Sequence, residues 1–161
     1  LIAGLRGDTL SGFRDSLGRL FSLKPEGVTV HALTLKRASL LRELENCFTT
    51  DASKMAELAR DSLTARGYLP YYMYKQKGTL DNLENVGYSL PGYECLYNIF
   101  IMDERHTILS CGAGGVTKLV DQRNGFVKRI FNYKYAREYI EGFETVLGRK
   151  EGIKQFYEGF E

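Results

Sequence analysis

Of the eleven tyrosines in the chain, seven fall between Tyr68 and Tyr97, and Lys75 and Lys77 stand among them. Tyrosine has an apolar ring and a polar tip, so such a group can wall a pocket for a flat ligand; it can equally serve a core or a subunit interface. Lys75 and Lys77 flank Gln76, and on a strand this alternation puts both ammonium groups on one face. There they could bind the carboxylates of an anionic ligand, or guard an edge strand against aggregation. Arg123, Lys128 and Arg129 form a second basic group with the same two uses. The glycines of "GAGG", Gly112–Gly115, could let backbone N–H groups approach a phosphate or carboxylate, or could simply make a tight turn. The stretch is neither a P-loop nor a dinucleotide fingerprint.

The remaining candidates are sparse. The three cysteines, Cys47, Cys95 and Cys111, are odd in number and widely spaced. That argues against a disulfide framework and for a reducing compartment, and no pair has the short spacing of a zinc or iron–sulfur motif. The two histidines, His31 and His106, are far apart in sequence, so no self-contained metal site is expected within the chain. His31 falls in a buried strand, where a lone histidine is usually a satisfied hydrogen-bonding group. No serine, cysteine or paired-carboxylate catalytic arrangement can be read from the rest.

Composition sets the frame. At 161 residues, with 43% hydrophobic and 26% charged residues, this is an ordinary folded chain long enough to bury a core. A net charge of +2 points to no nucleic-acid partner. No apolar run is long enough to span a bilayer, and no signal peptide precedes the first helix, so a cytoplasmic protein or part of one is expected.

The elements follow from periodicity. Leu1–Gly4 reads as the end of a strand, and Asp8 or Thr9 caps a helix whose stripe is Leu10, Phe13, Leu17, Leu20 and Phe21. "KPEG" stops that helix, and "VTVHALTL" is a second strand, expected to be buried on both faces. Together these make a βαβ unit with parallel strands. Parallel sheets need more than two strands, so the missing neighbours are expected before Leu1. Leu40–Phe48 reads as a short helix or a connection. Thr50 or Asp51 caps a helix with Met55, Leu58, Ala59 and Leu63 inward, ended by Gly67. "GYLPYYMYKQKG" predicts an edge strand because of Pro70, and "LYNIFIM" and "HTILSCG" predict two more strands. "GAGGVTKLV" and "NGFVKRIFN" predict a hairpin with Asn124-Gly125 as its turn. Tyr135–Phe160 returns to helical spacing, with a break expected near Gly148. In an open α/β sheet a ligand sits at the carboxyl ends of the strands, which here means the loops after Ala3 and around Thr34.

Two long stretches carry a resemblance. "LIAGLRGDTLSGFRDSL" with "PEGVTVHALTLKR", and "GYLPYYMYKQKGTLDNLENVGYSLPGYECLYNIFIMDERHTILSCGAGGVTKL", are similar to the oxygen-independent coproporphyrinogen III oxidase-like group of radical S-adenosylmethionine enzymes, and within it to the coproporphyrinogen dehydrogenase branch. The resemblance runs from Leu1 to about Ile140. It implies an α/β fold: the last βαβ portion of a partial (β/α)6 barrel in residues 1–40, then an α+β C-terminal domain in residues 41–161. It implies that the whole protein uses S-adenosylmethionine and a [4Fe-4S] cluster held by Cys-x3-Cys-x2-Cys, with an electron donor, to decarboxylate coproporphyrinogen III oxidatively to protoporphyrinogen IX in heme synthesis. The cluster cysteines would precede Leu1, leaving this chain inert alone and without metal ligands of its own. By the same resemblance Gly4, Leu5, Thr34 and Leu35 lie against the cofactor, while Lys75, Lys77 and Arg129 are candidates for the substrate's carboxylates. Arg6 replaces the proline usual in that turn, and Tyr97-Asn98 stands where related heme chaperones show His-Asn. A heme-binding chaperone using His106 or His31, or a non-catalytic packing or dimerisation module, are the rival readings.

Overall fold

The computed structural model describes residues 1–34 and 51–158 and divides into two compact units, Leu1–Ile99 and Phe100–Glu161. One sheet of the first unit holds strands from both sides of residue 40. The predicted element at Leu40–Phe48 lies outside the described residues, as does Leu35.

The first unit begins with β1 (Ile2–Ala3), α1 (Leu10–Ser22) and β2 (Gly27–Ala32). Thr9 is the N-cap of α1, its hydroxyl accepting from Gly12 N at 3.1 Å, while Asp8 accepts from Thr9 N at 2.8 Å. Phe13 and Leu17 are fully buried; Leu10, Leu20 and Phe21 pack around them. The chain leaves α1 through Lys24, whose φ of 49° lies in the left-handed region just before Pro25. β1 and β2 pair in parallel, Ile2 with His31 and Ala3 with Ala32, as the βαβ reading requires.

After α2 (Ala52–Thr64) come β3 (Leu69–Tyr74), a single 3-10 turn (Leu80–Asn82) and β4 (Asn85–Ser89). Met55, Ala59 and Leu63 of α2 are buried as expected, and Leu58 packs against them. The sheet order is β1-β2-β4-β3, with β4 antiparallel to both β2 and β3. Two expectations change here. One neighbour of β2 is supplied from downstream, by β4, so the sheet is mixed. And β2 is not buried on both faces: Val28, Val30 and Ala32 are buried while Thr29 and His31 are half-exposed. The cause is that α1 and α2 both pack on the face of Val28, Val30 and Tyr88, and antiparallel pairing tolerates one uncovered face. β3 is an edge strand with a register shift between Pro70 and Tyr72, as its proline demands.

α3 (Leu96–Asp103) replaces the strand predicted for "LYNIFIM". A largely apolar run with a single polar residue, Asn98, carries no alternation, and Asn98 and Ile99 N–H groups bond back to Cys95 O. The second unit then holds β5 (Val116–Asp121), β6 (Phe126–Phe131), α4 (Ala136–Glu141) and α5 (Phe143–Glu158). "HTILSCG" forms no strand; Ile108 alone bridges to Lys118, exchanging both backbone bonds. The β5–β6 hairpin forms as predicted, but Asp121 pairs with Phe126, so its loop is the four residues 122–125 rather than Asn124-Gly125 alone, with Gly125 at φ 72°. The helical break falls at Gly142, not Gly148, because a side chain at 142 would meet the Tyr133 ring and Glu138 O. Leu119, Thr117 and Val146 are the buried centre of this unit.

Candidate functional site

The uncovered face of the four-stranded sheet is built by register. Thr29 faces Gly87, and Gly87 faces Tyr72. A side chain at position 87 would fall inside the Tyr72 ring, so only glycine lets that ring lie across β4 and reach β2. The Tyr72 hydroxyl then meets Thr29 Oγ1 at 3.0 Å. One row along, Tyr74 OH meets His31 Nδ1 at 3.4 Å, and the two rings stand edge to face with centroids 6.3 Å apart. The Tyr72 and Tyr74 rings are parallel to within 5°, 6.4 Å apart. Asn85, buried on β4 and opposite Tyr74, accepts from Ala32 N at 2.9 Å through Oδ1 and ties β4 to the end of β2. The Tyr74 hydroxyl is pushed above the ordinary tyrosine range, first by burial and then by its neighbour Tyr72, so it stays protonated and able to donate. The face thus offers flat apolar rings with hydroxyl and imidazole tips, a surface suited to a flat partly polar body.

At the carboxyl ends of β1 and β2 the chain is tightly placed. Gly4 has φ 90°, and a Cβ there would come within 2.7 Å of Leu80 Cδ1 and 3.2 Å of the Ala52 Cβ. Leu33 N donates to Ala3 O, Leu80 N donates to Leu33 O, and Thr34 bridges to Thr79. Asp81, at φ 50°, accepts from both Ser53 N (3.2 Å) and Ser53 Oγ (2.7 Å), so its carboxylate sits at the N-terminus of α2. Asp51 holds the N-cap position of that helix, and its carboxylate takes the Lys54 ammonium at 2.8 Å.

Of the residues singled out from sequence, the structure gathers Gly4 and Thr34 at one sheet edge, with exposed Leu5 next along the chain. Lys75 and Lys77 do not share a strand face: β3 ends at Tyr74, and both lysines lie exposed in the turn that Thr79 Oγ1 closes on Gln76 O. Arg129, on β6 of the other unit, gives one guanidinium nitrogen to Glu104 at 3.0 Å. Glu104 also takes Lys118 at 2.7 Å; this hydrogen bond leads the causes that hold its carboxyl below the usual range. His106 is exposed and stacked on Phe100, with centroids 4.1 Å apart. The glycine turn is structural. Gly112 N bonds to Tyr139 OH, Gly114 N to Tyr133 O, and Gly115 N to Gly112 O. Sequence reasoning named the tyrosines but missed the pairs Tyr72–Thr29 and Tyr74–His31. The signal available was Gly87, an isolated glycine in a strand pattern that marks a close approach.

In comparison with known proteins, the chain is 42% identical over 163 aligned residues to the oxygen-independent coproporphyrinogen-III oxidase-like protein HemZ of Bacillus subtilis (strain 168), covering 98% of this chain. The alignment covers 32% of the relative, so the chain spans about a third of its length. No protein-family profile matches, and no solved structure matches. The α/β fold with its mixed sheet is compatible with one part of a larger coproporphyrinogen oxidase-like enzyme. No described helix is long and apolar enough to cross a membrane.

Proposed function

We propose that this chain forms one wall of the reaction chamber in a cytoplasmic radical enzyme that oxidatively decarboxylates coproporphyrinogen III to protoporphyrinogen IX. The observation that carries the reading is the uncovered sheet face. Tyr72 and Tyr74 lie parallel there, with Thr29 and His31 at their tips. A tetrapyrrole has the shape and mixed polarity such a face accommodates. Gly4, Leu5 and Thr34 form the edge turned toward S-adenosylmethionine, and Leu35, outside the described residues, is assigned to the same cofactor by the resemblance alone. Their fit is through backbone, since Gly4 has no side chain and Leu5 is exposed beyond it. Lys75, Lys77 and Arg129 bind propionates, with the Arg129 fork retaining donors beyond the one given to Glu104.

Among the described residues no three His, Cys, Asp or Glu side chains converge on a metal-sized site. In this reading the [4Fe-4S] cluster would rest on Cys-x3-Cys-x2-Cys of a longer protein, which would also dock the electron donor and begin a partial (β/α)6 barrel. When bound, the cluster and S-adenosylmethionine would supply hydrogen-atom abstraction from a propionate, and release of CO2 with one further electron to a separate acceptor would leave the vinyl group. The part left to this chain is to hold the substrate flat and its carboxylates fixed.

The test uses the longer protein, assayed anaerobically with coproporphyrinogen III. Lys75→Ala, Lys77→Ala and Arg129→Ala together should raise KM about tenfold or more, each tenfold corresponding to about 1.4 kcal/mol of lost binding. The 161-residue chain alone should turn over no substrate. Unchanged KM sinks the propionate assignment; an inactive wild-type longer protein sinks the reaction.

A further inference from the structure

We propose that a pocket in the second unit binds a small monocarboxylate with an apolar tail, through the ammonium of Lys150. The pocket holds about 290 Å³ and is walled by Phe143, Val146, Leu147 and Ile153 of α5, with Leu109 and Tyr139 opposite. The four α5 residues recur at helical spacing with Lys150, so one face of the helix presents a cation in the middle of an apolar stripe. Lys150 is half-buried, and its ammonium donates to Ser110 O at 2.9 Å and to Thr117 Oγ1 at 2.6 Å. An ammonium has three N–H donors, so one is left over. The ion pairs of the described residues, which include the α5 pair Lys154–Glu158, contain no partner for it.

A charged group in apolar surroundings without a counterion calls for an anion. Tyr139 supplies a second donor: its hydroxyl accepts from Gly112 N at 3.3 Å, which leaves its own proton to give. Two donors suit the two oxygens of a carboxylate. A phosphate would need more, and in the glycine turn the N–H groups of Gly112, Gly114 and Gly115 are already bonded, to Tyr139 OH, Tyr133 O and Gly112 O. The tail is argued from the rim. Leu147 is 47% exposed, Phe143 44% and Leu109 61%, an apolar lining that a hydrocarbon chain would cover. A space of about 290 Å³ approaches the lower end of small-molecule pockets, which suits a short-chain carboxylate such as octanoate.

The experiment is a titration of the chain with sodium octanoate, followed by calorimetry and by amide chemical shifts, with acetate and 1-octanol as controls. Octanoate should saturate and shift residues 109–111 and 139–153. Acetate and octanol should each bind about tenfold or more weakly, the first lacking the tail and the second the charge. Lys150→Met should lose octanoate about tenfold and Lys150→Arg should keep it. Leu147→Asp, at an exposed position, should weaken octanoate with Lys150 intact, which guards against a folding defect in the methionine variant. Shifts centred elsewhere, octanol bound as tightly as octanoate, or a folded Lys150→Met that binds as wild type would each overturn the proposal.

Discussion

At the scale of single residues, the candidate face depends on the absence of one side chain. Tyr72 can reach Thr29 only because Gly87 leaves β4 bare between them. Gly87→Ala should therefore cost about 1–3 kcal/mol in denaturant unfolding, the usual effect of forcing atoms into a filled space. In a Tyr72→Ala background the same change should cost little, since the ring that it strikes is gone. A double-mutant cycle measures this coupling. Equal costs in both backgrounds would mean that the ring moves aside freely and that the face is not rigid enough to position a ligand.

Among the elements, α2 owes its start to a distant residue. Asp81 reaches the first turn of that helix from a left-handed backbone position, where aspartate is tolerated better than most residues. Asp81→Ala loses the carboxylate and keeps the strain, so it should destabilise by about 1–2 kcal/mol. Asp81→Asn keeps an acceptor and the tolerance for positive φ, and should lose well under that. Thermal unfolding of the two variants decides it; equal losses would assign the effect to charge alone. This contact also shows where legibility in the sequence ended. α1 and the helix stripe of α2 were readable because cap and period are local, and so were the parallel β1–β2 pair and the β5–β6 hairpin. α3 was not, because "LYNIFIM" is apolar apart from Asn98 and so short a run suits either state. Lys75 and Lys77 were misplaced because nothing in "YMYKQK" marks the strand's end at Tyr74. The site was legible as a tyrosine cluster only. Its pairs, Tyr72 with Thr29 and Tyr74 with His31, depend on registers between strands far apart in the chain.

For the whole molecule, the likeness to HemZ of Bacillus subtilis covers nearly the full length of this chain but about a third of the relative. The chain's own contribution is then a sheet assembled from pieces of unequal sequence separation. β3 and β4 are joined by residues 75–84, while β2 meets β4 with Val28 opposite Tyr88 and Val30 opposite Val86. Closing the longer loop costs more chain entropy before any contact rewards it. Time therefore enters the description of the mixed sheet. The β3–β4 hairpin should close first, with the β1-α1-β2 segment docking onto it afterwards. Transition-state analysis should give high φ-values at Tyr72→Phe only if this order is reversed, because the Tyr72–Thr29 bond spans the late joint; Met73→Ala, within the hairpin, should score high. The face that would receive a ligand is then the last part of the first unit to come into being, and a chain stalled before that step holds its helices and hairpin with no wall between them.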